Sequence, residues 1–121
     1  MAILIGKPAI VEAAEQPSLS IEELIGRINS GTTAVSIARL KSLPGWSEPG
    51  QTPEFDEYTV VLRGSLRVHT KDGQFDVAAG QTILVKAGEW VQYSSPSPEG
   101  AEYLAVCIPA FSLEMAHREE W

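Results

Sequence analysis

Short runs of alternating hydrophobic and polar residues fill most of the chain after residue 32, and turn-forming residues separate them. The runs lie at about 33–41, 56–63, 65–70, 74–78, 82–86, 89–95 and 101–108. A two-residue period is typical of strands with one buried face, and regularly spaced short strands are typical of a sandwich or closed barrel. The sequence therefore predicts an all-β, antiparallel domain.

A tight hairpin is predicted at the dipeptide Asp72-Gly73, which separates two of these runs. This dipeptide is favoured in two-residue turns because such turns need positive φ angles. In the preceding strand Leu66 and Val68 share one face. His69 lies on the opposite face, so we expect it to be exposed to solvent.

Residues 20–29 have a different pattern. Ser20 and Glu23 stand at the spacing of a capping box, and apolar residues at 21, 24, 25 and 28 fall on one helical stripe. Gly31 then provides a stop signal. This pattern predicts one short N-terminal helix.

Composition limits the classes of partner. A chain of 121 residues has room for one domain, and its net charge of −7 repels nucleic acid and anionic membranes. No apolar run is long enough to span a membrane, and no signal peptide is evident, so a cytoplasmic location is expected. The single cysteine, Cys107, lies in an apolar run and is expected to be buried.

Two apolar stretches near the N-terminus, at 2–5 and 9–11, have no evident place in a barrel already supplied with strands. An unpaired segment of this kind exposes backbone hydrogen-bonding groups. The sequence therefore predicts that it adds to the sheet of a second copy, giving a homodimer.

Two stretches resemble the paired motifs of the cupin superfamily. The first motif is matched in spacing by Gly45, Gln51, Pro53, Glu57 and Gly64, and the second by Gly80, Lys86, Gly88, Val91 and Ser95. The resemblance implies a cupin-type antiparallel β-barrel, also called a double-stranded β-helix or jelly roll. It implies one cupin domain over 1–121, with an arm and helix at 1–32, the barrel at 33–109 and a tail at 110–121.

Cupins that hold a transition metal do so with three histidines and a glutamate, and the resemblance places Gln51, Pro53, Val91 and Glu57 at those positions. Proline and valine side chains donate nothing to a metal, and an amide oxygen is a weak ligand. We therefore expect no metal and no other cofactor. A weakly metal-dependent enzyme remains an alternative if Glu54 or His117 reaches the pocket, although His117 is otherwise expected to be exposed or to cap a short terminal helix.

Strand alternation, anchored by the resemblance at Glu57, places a set of polar groups in the barrel. Thr59 faces the same way as Glu57, and Val91 and Tyr93 also face inward. Glu57 and Tyr93 are the candidate catalytic residues, and the candidate ligand-binding residues are Gln51, Thr59, Arg39, Lys86, Val91 and Trp46. Arg39 and Lys86 enter as cations that could compensate the charge of Glu57, and Trp46 enters as a residue of the rim.

Two functions of different class fit this pocket. The first is a metal-independent module that binds a small molecule in cytoplasmic metabolism. The second is an isomerase, epimerase or lyase in which Glu57 is the general acid or base on a small carbonyl compound or hydroxy acid. Glu57 also has a purely structural interpretation, as a carboxylate held by Gln51, Tyr93 or backbone amides.

Overall fold

The computed structural model describes residues 1–11 and 18–119, and this part of the chain contains nine strands and one short helix. The strands are β1 (Ala9–Val11), β2 (Leu19–Ile25), β3 (Ser36–Ser42), β4 (Trp46–Ser47), β5 (Asp56–Thr70), β6 (Gly73–Ala78), β7 (Thr82–Val85), β8 (Val91–Ser95) and β9 (Ala101–Ile108). The helix is α1 (Leu113–Ala116). All strand pairs are antiparallel, which confirms the predicted fold class.

The long strand β5 joins the two walls of the barrel. Its first half pairs with β7 and β9, and its second half pairs with β6 and β8. The main path through the sheet runs β1-β2-β3-β9-β5-β8-β4. The sheet curls around an interior space because one strand belongs to both walls.

The bend in β5 lies at Gly64. The pairing register with β9 shifts between Val61 and Arg63, and Gly64 has a φ of 70°. A β-carbon at Gly64 would collide with the carbonyl oxygen of Gly100, so only glycine fits at this corner. The sequence pattern predicted two strands here, at 56–63 and 65–70, but they form one strand bent at this glycine.

The predicted helix at 20–29 is wrong. Leu19–Ile25 forms β2, and a turn follows at residues 27–30. Pairing with β3 satisfies the backbone, and isoleucine at 21 and 25 suits a strand at least as well as a helix. Glu23 does not cap a helix start: its carboxylate accepts hydrogen bonds from the backbone N–H groups of Ile28 and Asn29, at 3.0 and 2.6 Å.

The N-terminal arm finds a place within its own chain. β1 pairs with β2, with Ile10 opposite Glu22. The premise that residues 9–11 need a second copy's sheet is therefore wrong. β1 is a short edge strand, and the predicted homodimer stays a prediction.

A tight hairpin forms at the predicted place, but its turn lies one residue earlier than Asp72-Gly73: Gly73 begins β6 with a φ of 137°, and neither residue of the turn has a positive φ. Thr70 pairs with Gly73, and Lys71 and Asp72 form the two-residue turn between them. His69 is exposed, as strand alternation predicted.

Two clusters of buried side chains form the hydrophobic core. The larger contains Leu66 and Val68 of β5, both fully buried, and each such side chain contributes about 1.5–3 kcal/mol. The smaller contains Phe55, Cys107 and Ala116. Because Ala116 belongs to α1, this second cluster fixes the C-terminal segment against the barrel.

The C-terminal segment returns across one end of the barrel. Ser112 caps α1 by accepting a hydrogen bond from the Met115 N–H, and the Glu119 N–H donates to the Gly50 carbonyl at 2.8 Å. Residues 120 and 121 of the predicted tail, and 12–17 of the predicted arm, lie outside the described residues. No helix in the described part of the chain is long and apolar enough to cross a membrane.

Candidate functional site

A cavity of about 640 Å³ lies inside the barrel. Alternate residues of three neighbouring strands form one wall: Leu19, Ile21 and Glu23 of β2, Ser36, Ala38 and Leu40 of β3, and Tyr103, Ala105 and Cys107 of β9. The two-residue strand period puts each set on one face. A volume of this size is typical of pockets that bind small organic molecules.

Glu57 of β5 faces this cavity, directly opposite Cys107 in the strand register. Burial raises the pKa of Glu57 to about 7, and the negative charge of Glu48 adds to the rise. The neighbouring side chains of Cys107, Thr59 and Tyr93 partly offset it. These three neighbours are all neutral, because burial also raises the pKa values of the Cys107 thiol and the Tyr93 hydroxyl.

Glu48 is the second carboxyl of the site and is only 7% exposed. It lies in the segment between β4 and β5. Burial raises its pKa to about 7, although the positive charge of Arg118 acts in the opposite direction. The closest approach of the Arg118 guanidinium to the Glu48 carboxylate is 3.5 Å, too long for a strong charge-assisted hydrogen bond.

Two hydroxyl groups beside Glu57 are buried without a hydrogen-bond partner among the described residues: Thr59 Oγ1 and Tyr93 Oη. Both lie close enough to the Glu57 carboxyl to lower its pKa, but neither completes a hydrogen bond of good geometry. Tyr93 also lines the cavity. Because an unsatisfied buried hydroxyl costs about 1–3 kcal/mol, this arrangement favours a ligand that bonds to it.

Three of the residues predicted from the sequence line the cavity together: Gln51, Glu57 and Tyr93. Thr59 is fully buried beside them. Val91 faces inward as expected, but it belongs to the main core cluster and pairs with Gln51 through its backbone.

The remaining three predicted residues lie elsewhere. Trp46 is 4% exposed and packs in the main core, not at a rim. Arg39 is on the outer face of β3 and forms an ion pair with Glu102 at 2.9 Å. Lys86 is exposed at the end of β7. The expectation that Arg39 or Lys86 compensates Glu57 is therefore wrong, since strand alternation turns both away from the cavity.

His117 and Glu54 also lie outside the cavity. They form an exposed pair at 2.6 Å, with more than half of each side chain accessible to solvent. His117 caps the C-terminal end of α1 with a left-handed backbone conformation. This confirms the interpretation of His117 as an exposed capping residue and removes both side chains from the pocket.

The donor set does not fit a transition metal. Pro53 and Val91 have no donor atom, and the described residues contain no group of three His, Cys, Asp or Glu side chains that could hold one. Glu57, Glu48 and the Gln51 amide would offer only oxygen donors, without the imidazoles with which cupins hold a transition metal.

Sequence reasoning missed two important residues of the site. Glu48 precedes the predicted strand β5 and has no strand partner from which its direction could be inferred. Arg118 lies in the predicted tail, where the strand pattern gives no direction for its side chain, yet its guanidinium approaches Gln51 Oε1 at 3.4 Å and contacts Glu48. The one sequence feature that could have indicated Glu48 is its position within the first cupin-like motif.

The antiparallel jelly roll and its partly polar cavity define this chain as a small cupin-type domain. The family model of the AraC-like ligand binding domain matches residues 48–120, more than half of the chain. The chain therefore belongs to the family of AraC-like ligand-binding domains.

Solved structures share the fold at low sequence identity. A single-residue variant of oxalate decarboxylase from Bacillus subtilis superimposes with a TM-score of 0.75 and 18% identity over 94% of this chain and 31% of that chain. A sugar phosphate isomerase of the cupin superfamily from Silicibacter pomeroyi has a TM-score of 0.66 and 18% identity, over 84% of this chain and 68% of that one. These similarities establish the fold alone.

A curated relative is closer in sequence. Endoribonuclease YbeY from Myxococcus xanthus (strain DK1622) is 41% identical over 99 residues, which cover 82% of this chain. They cover 34% of the relative, so the present chain spans about a third of that protein's length.

Proposed function

We propose that this domain is a metal-independent binding module that takes one small organic molecule into its interior cavity, and that Glu57, Glu48, Tyr93 and Gln51 contact the ligand. We further propose that it works in cytoplasmic metabolism as a homodimer. Membership of a ligand-binding domain family supports the first part of this proposal.

The observation that carries the proposal is the buried Tyr93 hydroxyl, which lines the cavity and has no hydrogen-bond partner in the described part of the chain. Beside it, Glu57 takes part in no ion pair with any described residue, and Glu48 has one distant cation. Buried polar groups are normally satisfied, so exceptions grouped in one cavity favour a ligand that binds there. The apolar wall would contact the rest of that ligand.

The test is a binding screen with a cavity-filling variant. Saturation-transfer NMR would be run on the purified protein with a panel of small neutral polyols, carboxylates and amines. Ala105→Leu adds bulk to the cavity wall, and Ala78→Leu makes the same change at an exposed position of β6. We expect at least one class to bind wild type and Ala78→Leu, and to bind Ala105→Leu at least about tenfold more weakly, or by about 1.4 kcal/mol.

Binding that Ala105→Leu leaves unchanged would place the ligand elsewhere and contradict the proposal. Absence of binding across the whole panel would contradict it as well. Ala38→Leu, on the neighbouring strand, provides a second cavity-filling variant if Ala105→Leu does not fold.

Proton transfer is the second candidate function. Two carboxyl groups with pKa values of about 7 share this cavity, and a general acid or base works best with a pKa near the working pH. Glu48 is then a better partner for Glu57 than Tyr93 is, because the raised pKa of Tyr93 keeps it protonated and suited only to donate. Turnover that follows a bell-shaped pH profile and disappears in Glu57→Gln would support this alternative.

We do not propose for this chain the ribonuclease activity that the name of the Myxococcus relative states. The chain matches about a third of that protein, and its net charge of −7 disfavours binding of a phosphate backbone. A gel-shift assay with single-stranded RNA at low salt should give no complex.

A further inference from the structure

We propose that the cavity ligand is a small organic cation, with an ammonium group on an apolar body, and that the ammonium binds the carboxyl groups of Glu57 and Glu48. This inference rests on the proposed binding function and adds the chemical class of the ligand.

More acidic than basic side chains line the cavity. Four carboxyl side chains line it, those of Glu23, Glu48, Glu57 and Glu114, against two guanidinium groups, those of Arg27 and Arg118. Above about pH 7, where Glu57 and Glu48 ionise, a cation entering this space is attracted and an anion is repelled.

The two arginines leave Glu57 without a cation. Arg27 donates to the Ala110 carbonyl oxygen at 3.2 Å and to the Met115 sulfur at 3.6 Å. Arg118 divides its contacts between Gln51 and Glu48, all at 3.4–3.5 Å. In the described residues no ion pair involves Glu57.

The acidic groups are not equivalent. Glu23 accepts two backbone hydrogen bonds and is therefore already satisfied. Glu114 is exposed, so water solvates it. Glu57 and Glu48 remain as buried carboxyls whose ionised forms lack full compensation, and a buried charge of this kind gains most from a cationic partner.

The Tyr93 hydroxyl, which has no hydrogen-bond partner among the described residues, independently indicates a ligand in this part of the cavity. It lines the cavity, is 4% exposed, and lies beside the Glu57 carboxyl. A primary ammonium has three N–H donors, which match two carboxyls and one hydroxyl oxygen. The hydrocarbon body of the ligand would then contact Leu40 of β3 and Ile21 of β2, which line the same cavity.

Other ligand classes fit less well. A phosphate or carboxylate would add a negative charge to a cavity in which two buried carboxyls share one cation, Arg118, which lies 3.5 Å from Glu48. A neutral polyol could bond to Tyr93 but would leave the charge of Glu57 uncompensated. Only a cation offsets the cost of burying both carboxylates.

Binding of a cation must be linked to proton release. Without ligand, Glu57 and Glu48 hold protons up to about pH 7, and the cation binds their ionised forms. The other neutral groups facing them are Tyr93, Tyr103 and Cys107, whose pKa values burial raises and which stay protonated. The other charged groups of the cavity are Glu23, Arg27, Glu114 and Arg118.

The experiment compares three probes of one shape: cyclohexylmethylamine, cyclohexylmethanol and cyclohexanecarboxylate. Isothermal titration calorimetry at pH 8 should give an affinity for the amine at least about tenfold above that for the alcohol, with the carboxylate weakest. Between pH 8 and pH 6 the affinity for the amine should fall about tenfold for each carboxyl that must release its proton, and so up to about a hundredfold, since Glu57 and Glu48 both have a pKa of about 7. The affinity for the alcohol should not change.

Variants locate the effect. Glu57→Gln should lower the affinity for the amine at least about tenfold at pH 8, and should lower the affinity for the alcohol less. Glu99→Gln makes the same change at an exposed site outside the cavity and should alter neither. If Glu57→Gln does not fold, Glu48→Gln tests the same loss of affinity for the amine.

The outcomes separate this inference from the proposed function. Binding of the alcohol or carboxylate in the cavity with affinity equal to or above that of the amine would overturn the organic-cation proposal and leave a binding module. An amine preference that survives in both Glu57→Gln and Glu48→Gln would also overturn it. Failure of every probe and every member of the wider panel would overturn the proposed function itself.

Discussion

Replacing Glu57 by glutamine should make the protein more stable at alkaline pH. The folded protein holds the Glu57 proton up to about pH 7, whereas the unfolded chain releases it near the ordinary glutamate pKa of 4.5. Because the folded state binds more protons between these values, stability falls as pH rises through this window, and the loss is complete above pH 7. A difference of this size corresponds to about 3 kcal/mol, which Glu57→Gln should recover.

The assay is urea unfolding of wild type and variant at pH 4 and at pH 8.5. Titrating groups that do not interact with Glu57 change the stability of both proteins in the same way, so the useful quantity is the difference between them. We expect Glu57→Gln to be nearly neutral at pH 4 and more stable than wild type by about 3 kcal/mol at pH 8.5. Glu99→Gln, which removes an exposed charge, should show no such pH dependence.

A wild type and a Glu57→Gln variant with parallel stability curves from pH 4 to pH 8.5 would refute this reasoning. A variant less stable than wild type at pH 8.5 would instead show that the Glu57 carboxylate is well compensated by its neighbours. That result would also weaken the argument for a cationic ligand, because both rest on the same uncompensated carboxyl.

Three further predictions concern other parts of the molecule. Gly64→Ala should destabilise the fold by at least about 3 kcal/mol in urea unfolding. Positive φ alone costs about 1–2 kcal/mol, and the added methyl group also collides with the Gly100 carbonyl. The control is Gly80→Ala, which has positive φ but open space around it and should cost only the about 1–2 kcal/mol of the positive φ. Elemental analysis of tag-free protein should show less than about 0.2 equivalents of any transition metal, given the weak donor set, and stoichiometric iron, manganese, nickel or zinc would contradict this. Light scattering at micromolar concentration should give the mass of a dimer, and a monomer would refute that prediction.

Strand periodicity and motif spacing together predicted most of the barrel and the inward direction of Glu57. They succeed because a strand places alternate residues on opposite faces, so one anchored residue fixes the direction of its neighbours. This rule gave the inward direction of the Thr59 and Tyr93 side chains correctly, whereas the expectation that Arg39 also reaches the cavity was wrong. Its neighbours Ala38 and Leu40 line the cavity, and the same alternation therefore turns Arg39 toward Glu102 on the outside.

The error at β2 has a different origin. Residues 20–29 satisfy a helical stripe, while Leu19, Ile21 and Glu23 also fit a strand face. Local sequence cannot decide between them, because the deciding energy comes from pairing with β3, which lies further along the chain. The same residue, Glu23, that suggested a helix cap instead bonds to the turn that follows the strand.

The second carboxyl of the site could not be inferred from periodicity, because neither Glu48 nor the Arg118 facing it lies in a long strand. Their meeting depends on the C-terminal segment, which the cluster around Phe55 and Ala116 fixes to the barrel. The polar chemistry of the cavity therefore has two sources: Glu57 comes from the barrel strands, and Glu48 with Arg118 comes from the segments that close one end. It follows that changes in the C-terminal segment should alter the titration of Glu48 more than that of Glu57, since Arg118 lowers the pKa of Glu48 and is not among the groups that shift Glu57.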